Sequence, residues 1–412
     1  MSIHAPKFTN VSLANTRATL SFGAMITLDQ SPLDPAFVQD PYSFYDTARA
    51  TGPVLYWSDY GMLAAFDHAT VHSLLRDKRL GREIPDDLRM PVPDHLTDFY
   101  AVEQHSMLEH EPPRHTELRG LVLRAFTSRR IAGLQGDIEE ICADLIAKFP
   151  RDADFDLIPA YCTEVPVRVI ARLLGVPEDM GPDLLRWSGA MVAMYQAGRD
   201  RAIEDAANTA AREFSDFLRG YIDARRNDPR DDLITQLIAA EEDGQKLSTD
   251  SLIGTCVLLL NAGHEATVHS LGNAVHCLLQ NTVPAITPQV VEEVLRYDPP
   301  LHMFTRYAYE QVQVGDQTLY PGDQVALMLG AAGRDPAVYA TPERFDPDRK
   351  TTPHLAFGGG MHFCVGAPLA RLEMQVALSA LFDACPDLHE AQAPRYADSF
   401  HFHKLERLMV RL

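Results

Sequence analysis

Phe357-Gly358-Gly359-Gly360-Met361-His362-Phe363-Cys364-Val365-Gly366 is the stretch best equipped for chemistry. Glycine permits tight turns and close approach of main-chain N–H groups to a bound group. Cys364 stands just before a run, Ala367 to Leu381, that reads as a helix. A cysteine at a helix start feels the positive end of the dipole, which lowers its pKa and favours the thiolate. A thiolate held by backbone donors suits the axial position on a haem iron, where electron donation from sulfur favours O–O cleavage. The bland alternative makes Cys364 one of six buried, inert thiols.

Other residues carry chemistry at a distance from this loop. His115 and Arg119 are four apart on a helix that follows Pro112-Pro113, so they share one face. Taken alone, the pair is an ordinary solvated basic face. Ser251 to about Gln280 is the longest apolar helix in the sequence, and it carries His264 and Glu265 at its middle. An acid in so apolar a run is costly unless used or paired. A zinc-protease reading needs histidines four apart; His269 is five from His264, roughly 140° round the helix, and that reading is rejected. Glu293 and Arg296 are three apart and can pair. His401 and His403, two apart on a strand, form half a metal site with no third ligand nearby, which favours pocket-wall or surface histidines.

Together these stretches resemble the cytochrome P-450 family. Residues 357–366 match its haem-ligand loop, F-G-x-G-x-H-x-C-x-G, and Ala262-Gly263-His264-Glu265 is similar to the start of its oxygen-binding signature, A-G-x-[D/E]-T-[T/S]. Glu293 to Arg296 matches E-x-x-R, with Arg344 as the third member of a structural network. The resemblance covers roughly residues 35 to 412. It implies a mainly α fold with small β-sheets and a long central helix over haem b (iron protoporphyrin IX). It also implies that Cys364 ligates the iron, that Phe357 shields the sulfur, and that Gly358 and Gly366 shape the loop. By the same resemblance His115, Arg119, Arg306 and His354 meet the propionates, Ala262 and Gly263 lie against the haem, and Gly263 permits close approach. The catalytic set it implies is Glu265 as proton source, with His264 or Asn261 nearby, and the threonine position. That position departs from the pattern: Ala266 occupies it, and Thr267 lies about 100° further round. A substrate hydroxyl, a bound water, leaky oxygen chemistry or an engineered change would each account for it.

The implied activity is insertion of one atom of O2 into a C–H bond of a small hydrophobic substrate. A peroxide-driven enzyme and a non-enzymatic haem sensor are the alternatives. Flavin, nicotinamide and iron–sulfur fingerprints are absent, so electrons are expected from a separate ferredoxin and ferredoxin reductase. Arg124, Arg129 and Arg130 form either a docking patch for them or a solvated basic turn. Substrate contacts are expected from residues 85–108 and 184–197, Leu258 to Ala262, Leu301 to Phe304 and Phe400, with His302 and Asn261 as polar anchors.

The elements that must position these groups are those of an ordinary globular chain. Its 412 residues are 46% hydrophobic and 23% charged. A net charge of −20 argues against nucleic acid. Scattered cysteines, no signal-peptide pattern and no apolar run long enough for a membrane anchor give the expectation of a cytoplasmic protein. Residues 1–30 are expected to be an arm and 31–412 a single domain. A hairpin is expected at Val54 to Phe66, a long loop over 81–113, a buried helix over 183–197 and short strands over 310–329. The interval between Ala266 and Glu293 is shorter than the family pattern.

Overall fold

Apolar residues at helical spacing build most of the molecule, and a small sheet flanks them. The computed structural model describes residues 26–195, 199–242, 245–281, 283, 285–350, 353–397, 400 and 402–412. The elements that matter for the site are α1 (Tyr42–Thr51), α2 (Thr97–Glu103), α3 (Arg114–Ala125), α4 (Gln135–Ile146), α5 (Glu164–Leu174), α6 (Gly181–Val192), α7 (Arg201–Asn227), α8 (Thr249–Gln280), α9 (Pro288–Tyr297) and α10 (Ala367–Ala384). The strands beside them are β1 (Thr27–Leu28), β2 (Val54–Trp57), β3 (Met62–Ala65), β4 (Leu80–Gly81), β5 (Met303–Ala308) and β6 (Gln324–Met328), in the spatial order β1-β2-β3-β6-β5-β4.

Helix α8 is the spine. Its 32 residues start at Ser248, whose hydroxyl accepts from the Ser251 N–H. Such a cap satisfies one of the N–H groups that a helix start leaves open. Buried apolar side chains of α4 through α10 pack around α8 as one continuous core. Tyr161, fully buried between β-strand and helix layers, donates to the Ala377 carbonyl of α10 at 2.7 Å. Residues 281–287 alone separate α8 from α9, which accounts for the short interval read from the sequence.

The hairpin β2–β3 forms as expected, with Val54 opposite Ala65 and Trp57 opposite Met62. Strand β6 then adds parallel to β3 and antiparallel to β5, and this places Arg306 opposite Val325. Two expectations need correction. The arm does not extend to residue 30, because Thr27–Leu28 pairs with β2; residues 1–25 lie outside the described set. The stretch 81–113 is not one loop, because α2 lies within it. Leu96, Phe99 and Val102 are buried along one side of that segment. The N–H groups of Asp98 and Phe99 at its start donate to the Asn208 side chain of α7, at 2.8 and 3.0 Å. A cap supplied from so far along the chain leaves no local start signal.

Helix α9 is tied to the segments beside the active loop by a buried ion pair. Arg296 grips Glu293 with two hydrogen bonds of 2.7 Å and donates to the Gly333 and Pro342 carbonyls at 2.8 and 2.9 Å. The third member of the network is Arg349, whose Nε lies 3.4 Å from Glu293. Arg344, expected in that role, reaches Arg296 through its main-chain carbonyl. Removing one partner of a buried pair strands the other charge. Arg296→Ala is therefore expected to cost about 3–5 kcal/mol. Chemical denaturation checks it, beside Arg344→Ala, which should be nearly neutral.

Candidate active site

The Phe357–Gly366 loop is held by close approach of other segments. Gly358 and Gly360 adopt φ of 70° and 67°, which favour glycine. A Cβ at Gly360 would stand 2.4 Å from the Leu75 carbonyl oxygen, and one at Gly358 would stand 3.0 Å from the Phe304 ring. The Cys364 N–H donates to the Phe357 carbonyl at 3.0 Å and closes the loop. Burial pushes the Cys364 thiol up; the N–H groups of Gly366 and Ala367 and the charges of Arg119 and Arg371 pull the other way without prevailing. The helix start therefore does not by itself make a thiolate, contrary to the expectation from sequence. A coordinated cation deprotonates such a thiol outright. The Arg371 guanidinium lies 4.5 Å over the Phe357 ring and is paired with Glu292 at 2.9 Å.

A cluster of cationic side chains surrounds this loop. Arg119 donates to the Phe363 carbonyl at 2.7 Å. His115, 2% exposed, packs its ring 4.4 Å from that of His362, and its Nδ1 is buried with no partner. Burial and the neighbouring His362 and Arg119 push His115 down to about 4. His362 Nε2 lies 2.8 Å from Glu111. Arg306 is 2% exposed, donates to the Thr305 carbonyl at 2.8 Å and has no carboxylate at ion-pair distance among the described residues. Burial takes its pKa down to about 10. A buried guanidinium without an anion is costly, so this cluster calls for acidic groups from a ligand.

His354, expected to join that cluster, lies elsewhere: its Nε2 is 3.2 Å from Glu292 and its ring is 5.7 Å from Phe357. It braces the loop from the Glu292–Arg371 side. His362 sits with His115 in its stead. Its position inside the glycine-rich motif itself was the available signal.

Helix α8 is buried along most of its length, yet Leu258, Asn261, Ala262, Glu265 and Ala266 keep accessible surface. Their spacing of three and four makes one open stripe. Gly263 does not present its missing Cβ to that stripe; a Cβ there would meet Ile170 of α5 at 3.5 Å. Thr267 is buried and turned back, donating to the Gly263 carbonyl at 3.0 Å. It cannot supply the hydroxyl that Ala266 lacks. His264 is buried, its Nδ1 2.9 Å from the Leu260 carbonyl of its own helix. Glu265 finds its partner in His269, one turn on, at 2.9 Å. Burial raises the Glu265 carboxyl, but His269 outweighs it and holds the group at about 2. The spacing of four between Glu265 and His269 was legible; only the His264–His269 spacing had been weighed.

The walls hold further surprises. His302 is fully buried, its Nδ1 2.8 Å from the Tyr45 hydroxyl, so it is no anchor for a substrate. Phe400 packs 4.8 Å from Phe37 and 5.6 Å from Trp57. Asn261 has a buried Oδ1 without a partner and points its Nδ2 at the Met191 sulfur of α6, 3.9 Å away. Of the three basic-turn arginines, Arg130 is engaged by Asp231 at 3.2 Å, while Arg124 and Arg129 are exposed. His401 lies outside the described residues.

A family model described as Cytochrome P-450 matches residues 285–388. Cytochrome P-450 107B1 of Saccharopolyspora erythraea is 41% identical over 403 residues, 93% of this chain and 98% of that protein. Cytochrome P-450 monooxygenase PikC of Streptomyces venezuelae is 36% identical over 88% of each chain. Among solved structures, P-450 BioI in complex with an acyl carrier protein ligated to hexadec-9Z-enoic acid aligns with a TM-score of 0.86 at 33% identity, covering 92% of this chain and 100% of that one. PksS of Bacillus subtilis aligns at 0.84 with 32% identity, covering 93% and 99%.

The chain belongs to the cytochrome P-450 family. It is a haem-thiolate monooxygenase that carries haem b, uses O2 and draws electrons from redox partners. The residues present fit the cofactor: the buried Arg306 guanidinium and the unpartnered Nδ1 of His115 suit carboxylates, the α8 stripe is open, and the Cys364 sulfur has donors beside it. Among the described residues no helix is long and apolar enough to cross a membrane.

Glu265 titrates in the folded protein at about 2, below the roughly 4.3 of an unfolded glutamate. Its contribution is present above the unfolded value and is lost as pH falls from about 5 towards 2. Glu265→Gln is expected to flatten that part of the stability–pH curve by about 2–3 kcal/mol. Denaturant melts at pH 7 and pH 4 read the upper part of that window, about 0.5–1 kcal/mol, and equal slopes in both proteins would contradict the pairing.

Proposed function

We propose that the chain from Thr27 onward acts as a single domain in which the Cys364 thiolate would hold the iron of haem b. His115, His362, Arg119 and Arg306 hold the propionates by charge-assisted hydrogen bonds. The observation that carries this assignment is Arg306, a buried guanidinium left without an anion beside the Cys364 loop. Bound haem supplies dioxygen activation and insertion of an oxygen atom into a C–H bond. The protein's own part is to orient, to exclude water and to move protons.

Glu265 faces the open stripe of α8 and keeps its charge through His269, whose Nε2 lies 2.9 Å away. We assign Glu265 as the last protein group on the proton route and His269 as the residue that positions it. With Thr267 turned into the helix and Ala266 bearing no hydroxyl, a water or a hydroxyl of the substrate completes the route. The phenyl ring of Phe357, sandwiched with Arg371, keeps the sulfur side apolar.

Leu258, Met191 and the α2–α6 walls favour a small hydrophobic substrate. Asn261 is the remaining polar anchor, its Oδ1 unpartnered. Electrons arrive from a ferredoxin served by its reductase. Exposed Leu123 and Phe363 beside Arg124 and Arg129 offer it a surface. The enzyme works in the cytoplasm, in keeping with unpaired cysteines.

Two outcomes test these roles. The reduced, carbon-monoxide-bound protein should show the thiolate-type Soret band, and Cys364→His should lose it while keeping haem. Glu265→Gln should slow product formation by about 10²-fold and divert NADH to peroxide. His269→Gln should shift the pH profile of the coupled rate with a smaller loss. Full coupling in Glu265→Gln would remove Glu265 from the proton route.

A further inference from the structure

A second constellation lies away from the Cys364 loop, where α1, the end of α9, the start of β5 and the C-terminal segment meet. Asp298, His302 and His403 are 6%, 0% and 5% exposed, and their donor atoms all lie within 4.8 Å of one another. His403 Nδ1 is 2.8 Å from Asp298 Oδ1, and His302 Nε2 is 3.6 Å from it. The Tyr42 hydroxyl adds a fourth donor, 2.6 Å from Asp298 Oδ1 and 3.4 Å from His302 Nε2. Tetrahedral ligands about 2.1 Å from a zinc ion stand about 3.4 Å apart. The four donors bracket that spacing.

His302 and Asp298 also have outer hydrogen-bond partners, while His403 keeps a buried Nε2 without one. The Tyr45 hydroxyl is 2.8 Å from His302 Nδ1, which leaves Nε2 directed at the cluster. Tyr396 donates to the second oxygen of Asp298 at 2.8 Å and stacks its ring 3.7 Å from that of His403. Such partners orient metal ligands and fix their tautomers. A polar cavity of about 290 Å³ gives access; Tyr42, Asn273, Asp298, Tyr396 and His403 line it together with Arg334, whose guanidinium lies 3.4 Å over the Tyr42 ring.

We propose that Asp298, His302 and His403, with the Tyr42 oxygen beside them, form a site for a zinc-type divalent ion separate from the haem. Two imidazoles and one carboxylate favour zinc over magnesium or calcium, which take oxygen ligands. The four residues come from three distant parts of the chain, so the ion clamps α1 and the C-terminal segment to the end of α9.

The haem-loaded protein is dialysed against zinc chloride, then against metal-free buffer, and zinc and iron are counted by mass spectrometry. About one zinc per haem iron is expected. In Asp298→Asn and His403→Gln, zinc affinity should fall by about 10- to 100-fold, with the reduced carbon-monoxide spectrum reporting an intact fold. X-ray absorption at the zinc edge of the unmutated protein should show nitrogen and oxygen ligands with imidazole scattering, a reading that stands even if a variant loses haem. Zinc that washes out of the unmutated protein would overturn the proposal and leave a cluster held by hydrogen bonds alone. Zinc retained equally in both variants, or a sulfur shell, would also overturn it, by placing the ion elsewhere.

Discussion

The Phe357–Gly366 loop has almost no regular structure of its own, so its shape is held from outside. Leu75 presses on Gly360, Phe304 on Gly358, and Arg371 on Phe357. Each contact comes from a different part of the chain. Arg371 is fixed by Glu292, and the adjacent Glu293 is fixed by Arg296 and Arg349. Two successive acids of α9 thus serve two sides of one scaffold, one bracing the loop and one anchoring the segments around Gly333 and Pro342. The position of a single sulfur atom depends on this arrangement more than on the helix that follows it.

What the sequence made legible was chemistry with a fixed local spacing. The glycines with Cys364, the His115–Arg119 pair and the E-x-x-R pair each lie within a few residues inside their own motif, and local backbone geometry relates the members of each. The misses share an opposite character. Arg349 rather than Arg344, His362 rather than His354, Asn208 as the cap of α2, and Asp298 with His302 as neighbours of His403 are all contacts between segments far apart in the chain. Spacing carries no information about which of two nearby arginines or histidines a distant acid will meet. The thiol of Cys364 shows the same limit in energetic form. The dipole effect was readable, but the burial that outweighs it belongs to the assembled protein.

Charge is unevenly resolved in this molecule. Glu293 and Arg296 neutralise each other within the fold, as do Arg225 and Asp232. Arg306 is left with no carboxylate at ion-pair distance among the described residues, and the buried His115 with an unpartnered ring nitrogen, in a protein whose net charge is −20. The apoprotein therefore stores an electrostatic cost that a doubly anionic cofactor relieves, and cofactor binding is coupled to folding there.

The shared labour between α8 and the flanking loops has an evolutionary corollary. Helices α2 and α6 supply none of the side chains described above beside Cys364, Arg306 or His115, whereas the segment between β4 and α2 brings Arg82 close enough for its charge to act on Arg306. Mutations that reshape these two helices leave the cofactor cradle untouched. Substrate preference can therefore drift through neutral steps, while the machinery that activates oxygen stays under separate selection.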